Sequence, residues 1–169
     1  MKPDQLQLGF LKVLKGSLMQ KEAEVYGIVY KEKEPYEVLS TNWLTYGEVL
    51  KLKMVESMVE VYYNSGQFKN TLVFLEGYFE DPFRMYEVLG RFYEKRGYSE
   101  ISHSRIRRYE ILMEFAGEHS EIPLEKLSDV MLLDLYLREN LKSRPAFASD
   151  QKPYERMLSL IHISEPTRL

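Results

Sequence analysis

The chain contains no cysteine among its 169 residues. It therefore has no thiolate ligand for an iron-sulfur cluster or a zinc ion, and no disulfide can form within it. It also lacks an apolar run of about 18 residues, the length needed to cross a membrane, and an N-terminal pattern typical of a signal peptide. We therefore expect a cytoplasmic protein.

The composition shows no excess of one charge. The net charge is -3, with 44% hydrophobic and 29% charged residues, which is typical of a globular protein and gives no general attraction to nucleic acid or anionic lipid. We expect neither nucleic acid nor membrane as a partner. A chain of this length buries roughly 70% of its unfolded surface, enough for one substantial core.

The N-terminal residues alternate between polar or small and apolar side chains, from Gln5 through Leu6, Gln7, Leu8 and Gly9 to Phe10. This alternation is typical of a half-buried strand, which we predict over residues 5–14. Lys15-Gly16-Ser17 ends it, and Ser17 is placed to cap a short helix over residues 18–26. Two short extended pieces are predicted at residues 28–30 and 36–39.

The rest of the chain has helical spacing. Thr45 and Glu48 form a predicted capping box, Asn64-Ser65-Gly66 is a predicted break, Asp81-Pro82 a predicted helix start and Gly97 a predicted C-terminal cap. Further helices are predicted to begin near Ser104 and Pro123. The predicted fold class is mainly α, with about five packed helices after a small α/β piece.

Few residue patterns suggest chemistry. His103, His119 and His162 lie too far apart in sequence to share one helix face, so no local metal motif is predicted. Glu56 and Glu60 lie one helical turn apart, as do Glu110 and Glu114, and a solvated helix face explains both pairs. No residue is assigned a catalytic role.

A basic stretch from Ser102 to Tyr109 lies at a predicted helix start. Its hydroxyls and free amides, with Arg105 and Arg108 on nearly one face, suit a phosphate or carboxylate group. Ser104, Arg105 and Arg108 are the candidate anion-binding residues. The alternative is a serine-capped helix whose arginines pair with surface acids such as Glu100.

Four segments carry a resemblance to a known family. They are QLQLGFLKVLKGS, PYEVLSTNWLTYGEVLKLKMVESMVEVYYNSGQF, SHSRIRRYEILMEF and LLDLYLRENLKSRPAF. In this collinear order, over about residues 3–150, the chain resembles the C-terminal part of cobalamin-binding radical S-adenosylmethionine proteins. The resemblance implies that residues 1–30 are the last strand and helix of a (β/α) barrel and that residues 31–159 form an appended helical domain of unknown function.

The resemblance also implies what the chain lacks. The family binds its iron-sulfur cluster through a CxxxCxxC motif and its cobalamin through an Asp-x-His-x-x-Gly motif, and neither occurs here. We therefore expect a C-terminal fragment that binds none of these cofactors and is inactive alone. S-adenosylmethionine, the cluster and cobalamin are implied for the full-length protein, whose own barrel and cobalamin domain are the expected partners.

Barrel active sites lie at the C-terminal ends of the strands. If residues 5–14 are the last strand, Lys15, Gly16 and Ser17 lie at that rim, and the resemblance makes them the candidate cofactor-binding residues. The alternative is that Gly16 and Ser17 only turn the chain into the next helix. The substrate, small molecule or peptide, is not specified, and a free-standing helical adaptor that binds a protein or anionic ligand remains the competing function.

The last ten residues, LIHISEPTRL, do not continue an apolar stripe. HISEPTRL resembles the translation of a sequencing adapter, so residues 160–169 are predicted to be non-native. The alternative is an ordinary frayed tail.

Overall fold

The computed structural model describes residues 3–138 and 145–148. The fold is mainly α, as predicted, with a small sheet near the N-terminus. In order, the described elements are α1 (Leu18–Lys21), β1 (Val29–Tyr30), β2 (Val38–Ser40), α2 (Tyr46–Met58), a π-helix (Val59–Asn64), α3 (Lys69–Glu76), α4 (Pro82–Arg96), α5 (Arg105–Gly117) and α6 (Leu124–Tyr136).

The chain divides into two compact units between His103 and Ser104. In the first unit β1 and β2 pair antiparallel, with Tyr30 opposite Val38, and α2 packs mainly against α4. This pairing spans the predicted domain boundary after residue 30. The assignment of residues 1–30, 31–159 and 160–169 to separate segments stays a prediction, and the last of these segments lies outside the described residues.

Local sequence signals place the helix ends of the first unit. The Thr45 side chain accepts from the Glu48 amide while the Glu48 carboxylate accepts from the Thr45 amide, which completes the predicted capping box. Asp81 caps α4, with Pro82 as its first residue. Gly97 ends α4 in the left-handed conformation, at φ 69°, where glycine avoids a Cβ clash.

The predicted strand over residues 5–14 is wrong as a regular strand. Lys12 alone forms an antiparallel bridge, to Glu37, with hydrogen bonds from Val13 N–H to Tyr36 C=O and from Val38 N–H to Leu11 C=O. A strand requires neighbours along its length, and this segment has one only near its C-terminal end.

The helix predicted over residues 18–26 is also shorter in the structure. Ser17 caps it as predicted, but the helix ends at Lys21 because the following residues form irregular turns. One of these turns brings the Ile28 amide back to the Ala23 carbonyl. The chain then enters β1.

The second unit is built on α5 and α6, which pack against each other. The buried side chains of α6 recur at helical spacing at Leu127, Met131 and Leu135, whereas Leu124 at its start is 40% exposed. Tyr109 stacks on Phe147 with ring centroids 5.6 Å apart, and the Ser128 hydroxyl donates to the Phe147 carbonyl. Within the described parts of both units, no helix has the length and apolar character required to span a membrane.

Candidate functional site

The predicted cofactor-binding residues Lys15, Gly16 and Ser17 form a tight turn between the extended N-terminal segment and α1. Gly16 has φ 78°, a conformation that favours glycine. The Gly16 amide donates to the Gln20 side-chain oxygen at 2.7 Å, and the Ser17 hydroxyl accepts from the Gln20 amide at 3.2 Å. These contacts fit the alternative reading, in which the turn leads the chain into a capped helix.

The Gly16 backbone and the Lys15 side chain of this turn are accessible from solvent. A Cβ added to Gly16 would meet no atom within 4 Å, so the backbone is open to close approach. The exposed Lys15 ammonium lies 5.5 Å from the centroid of the Tyr36 ring, a cation–π contact. The assignment of these three residues to a cofactor stays a prediction.

A second group of charges surrounds Glu37, which pairs with Lys12 across the bridge. The Glu37 carboxylate accepts from Lys53 at 2.9 Å and from Lys31 at 3.1 Å. These side-chain hydrogen bonds, the one from Lys53 first, hold the pKa of the carboxyl below its usual value. Lys53 also lies 5.4 Å from the centroid of the Phe10 ring.

An apolar pocket of about 220 Å³ lies beside Phe10. Four consecutive residues of the N-terminal segment form one wall, and β2, α2 and the loop between them form the other. The lining residues are Leu8, Gly9, Phe10, Leu11, Val38, Thr41, Leu44, Val49 and Leu52. The pocket is open to solvent and its lining is mainly apolar. It therefore offers an apolar surface but few polar groups that could orient a ligand or take part in a reaction.

The candidate anion-binding residues Ser104, Arg105 and Arg108 lie at the start of α5, in the second unit. The Ser104 hydroxyl caps the helix by accepting from the Arg107 amide at 3.2 Å, as the alternative reading predicts. Arg105 is exposed and Arg108 half-buried. The assignment of these three residues to an anion stays a prediction.

The carboxylate pairs have structural partners. Arg107 bridges Glu110 at 3.1 Å and Glu114 at 2.8 Å, and Glu60 accepts from the Asn64 side chain at 2.7 Å. Across the described ranges no group of three acidic or histidine side chains is arranged to hold a metal ion. His162 lies outside those ranges.

The π-helix makes contacts that the sequence did not indicate. Asn64 and Tyr63 hydrogen-bond to backbone atoms of Leu6 and Pro3, nearly sixty residues earlier in the chain. The Tyr62 hydroxyl lies 2.5 Å from the Tyr93 hydroxyl, in the buried core. The sequence predicts core packing for Tyr62 and Tyr93, which are buried, and a break at Asn64-Ser65-Gly66. Nothing in it indicates a π-helix or these contacts.

A buried carboxylate on α4 was also missed. Glu87 is 4% exposed and contacts three cations, Arg84, Arg91 and Lys51. Arg84 and Arg91 lie three residues before it and four after it, so the helical spacing in the sequence contained two of the three partners. The third comes from α2 and required the tertiary structure.

Comparison with known proteins adds a family. A model described as "Protein of unknown function (DUF4080)" matches residues 24–166, which is most of the chain. No curated protein matches the chain, and no solved structure does. The chain therefore belongs to the DUF4080 family.

Proposed function

We propose that this chain is the C-terminal part of a cobalamin-dependent radical S-adenosylmethionine enzyme, and that its helices cover or shape the active site of the barrel. The proposal rests on the collinear sequence resemblance over about residues 3–150. Membership of the DUF4080 family is consistent with it but assigns no activity, because that family is described only as of unknown function.

The single observation in the structure that best supports the proposal is the N-terminal segment. A segment that is paired only at the Lys12 bridge, a left-handed glycine turn at Gly16 and a capped helix follow one another, in the order of one strand and helix of a barrel. Four leucines of the stretch are between 36% and 61% exposed, namely Leu6, Leu8, Leu11 and Leu14. Parallel strands in such barrels are covered on both faces, so these leucines are side chains that the barrel interior and the outer helices would bury.

The implied cofactors fit this chain to different degrees. The iron-sulfur cluster and cobalamin do not fit, because the chain has no cysteine and no Asp-x-His-x-x-Gly motif, and no step of a reaction is assigned to this chain through them. For S-adenosylmethionine, the Gly16 backbone is open to close contact, because a Cβ added there would meet no atom within 4 Å. The proposed contribution of this chain is therefore shape and closure of the site.

The nucleotide sequence upstream of Met1 tests the proposal most directly. We expect the reading frame to continue through a CxxxCxxC motif. A stop codon and ribosome-binding site immediately before Met1 would instead favour the competing function, a free-standing helical adaptor. As a biochemical check, the chain alone, incubated with iron, sulfide, reductant and S-adenosylmethionine, should release no 5′-deoxyadenosine.

A further inference from the structure

The π-helix Val59–Asn64 continues directly from α2 and forms the C-terminal end of that helix. π-Helical turns are rare and occur frequently at functional sites. Here the π-helix is followed by its C-cap Ser65 and then by Gly66, at φ 61°. The last two residues of the π-helix, Tyr63 and Asn64, face a stretch of extended chain.

Asn64 binds the backbone of Leu6 with both ends of its side-chain amide. Its Oδ1 accepts from the Leu6 N–H at 2.9 Å, and its Nδ2 donates to the Leu6 C=O at 3.0 Å. Nδ2 also donates to the Glu60 carboxylate at 2.7 Å, which fixes the orientation of the amide. The Tyr63 hydroxyl donates to the Pro3 C=O.

These contacts reproduce what a neighbouring strand provides. One residue of a strand offers an N–H and a C=O to its partner, and the Asn64 amide satisfies both. All of these hydrogen bonds go to backbone atoms of the segment, whereas the Leu6 side chain is partly covered, at 43% exposed. Backbone recognition of an extended segment is an established way to bind peptides.

We propose that Glu60, Tyr63 and Asn64 form a docking site for an extended peptide, here called the peptide clamp. Residues 3–6 fill it in this chain, and a leucine-containing extended segment of a second polypeptide fills it when they leave. The segment in place is held by few hydrogen bonds, and none of its side chains is fully buried, so we expect it to exchange with another segment. The inference does not depend on the proposed function, because no barrel or cofactor enters it.

Leu6→Pro in the full chain tests the proposal. Proline has no N–H to donate to Asn64, and its ring occupies the place of the hydrogen, so residues 3–6 should leave the clamp while the clamp stays intact. The probe is a fluorescent peptide with the sequence of residues 3–8, PDQLQL. We expect the fluorescence anisotropy of this peptide to rise to a plateau as the Leu6→Pro chain is added. The apparent affinity of the unsubstituted chain should be at least about tenfold lower, because its own segment competes at millimolar effective concentration.

Two controls make the test specific to the clamp. Adding Asn64→Ala to Leu6→Pro should abolish binding, whereas adding Asn70→Ala, an exposed asparagine on α3, should not. A peptide N-methylated at its first leucine should not bind either. Thermal melts of all variants establish that they are folded. A folded Leu6→Pro chain that binds no peptide, or binding that survives Asn64→Ala, overturns the proposal.

Hydrogen exchange of the Leu6 amide gives a second measurement that needs no proline variant. Leu6 is exposed, so its amide should be protected from exchange only by Asn64. Asn64→Ala should therefore raise its exchange rate to that of an unstructured peptide. If the Leu6 amide of the unsubstituted chain already exchanges at that rate, the proposed peptide clamp is wrong.

Discussion

Glu87 faces three cations from a buried position on α4. Arg91 and Arg84 contact its two oxygens at 2.6 Å and 2.8 Å, and Lys51 lies at 3.5 Å. The hydrogen bond from Arg84 is the largest influence on the carboxyl. It lowers the pKa below the ordinary value, against the opposing effect of burial, and Arg91 lowers it further. The charge on Glu87 therefore contributes to stability.

We predict that Glu87→Gln destabilises the chain by about 1.5–3 kcal/mol at pH 7, the usual range for hydrogen bonds to a charged group. Because the folded pKa is below the unfolded one, this contribution is complete above the unfolded pKa and is lost as the pH falls through the folded value. Urea unfolding at several pH values measures it. The difference between the two proteins should shrink below the ordinary glutamate pKa of 4.5.

The matched control is Glu110→Gln, which removes a partly exposed partner of Arg107. A surface pair of this kind contributes about 0–1 kcal/mol. An equal loss of stability in both variants, or a Glu87→Gln effect independent of pH, would contradict the role given to Glu87.

The buried tyrosine pair links the π-helix to α4. Tyr62 and Tyr93 are 0% and 3% exposed, and their rings pack edge to face with centroids 6.1 Å apart. We predict that Tyr62→Phe and Tyr93→Phe each cost about 1 kcal/mol, the typical net value of one hydrogen bond. The double variant should cost less than the sum, because the two hydroxyls share that bond. Urea unfolding of the four proteins gives the coupling, and strict additivity would count against the bond.

Helices α2 and α4 approach each other closely at Gly90. A Cβ added there would lie 2.5 Å from the Met54 Cγ, too near to be relieved by moving only the end of the methionine. We predict that Gly90→Ala destabilises the chain by about 1–3 kcal/mol through overpacking, although alanine favours a helix more than glycine does.

Gly117, at the end of α5, provides the opposite case. A Cβ there would meet nothing within 4 Å, so Gly117→Ala should stabilise the chain by about 0.4–1 kcal/mol. Chemical unfolding measures both alanine variants. Restored stability in the pair Gly90→Ala with Met54→Ala would identify the methionine as the obstacle, whereas a stabilising Gly90→Ala would refute the close approach.

Sequence predicted the elements that depend on neighbouring residues. The caps at Thr45 and Asp81 and the glycine turn at Gly97 involve contacts within three or four residues, and the structure confirms them. The N-terminal strand failed because a strand depends on distant partners, and Lys12 alone found one. The π-helix carries no residue pattern of its own, so the Asn64 contact with Leu6, 58 residues away, could not be predicted.

For the chain as a whole, the unusual surface is the N-terminal segment. Leu8, Leu11 and Leu14 are exposed on a stretch where Leu11 and Val13 make the backbone hydrogen bonds of the bridge. Exposed apolar side chains on unpaired extended chain favour pairing with another molecule. We therefore expect the chain to self-associate when no other partner is present.

We predict that the average mass of the chain in sedimentation velocity rises with concentration. The triple variant Leu8→Ser, Leu11→Ser and Leu14→Ser should stay monomeric over the same range, because it removes three of the four exposed leucines of this stretch without changing the buried Val13. The matched control substitutes Val73 and Leu133, which are 63% and 49% exposed on helices, with threonine and serine. The control should associate as the unsubstituted chain does, and equal association of the triple variant would show that other surfaces drive it.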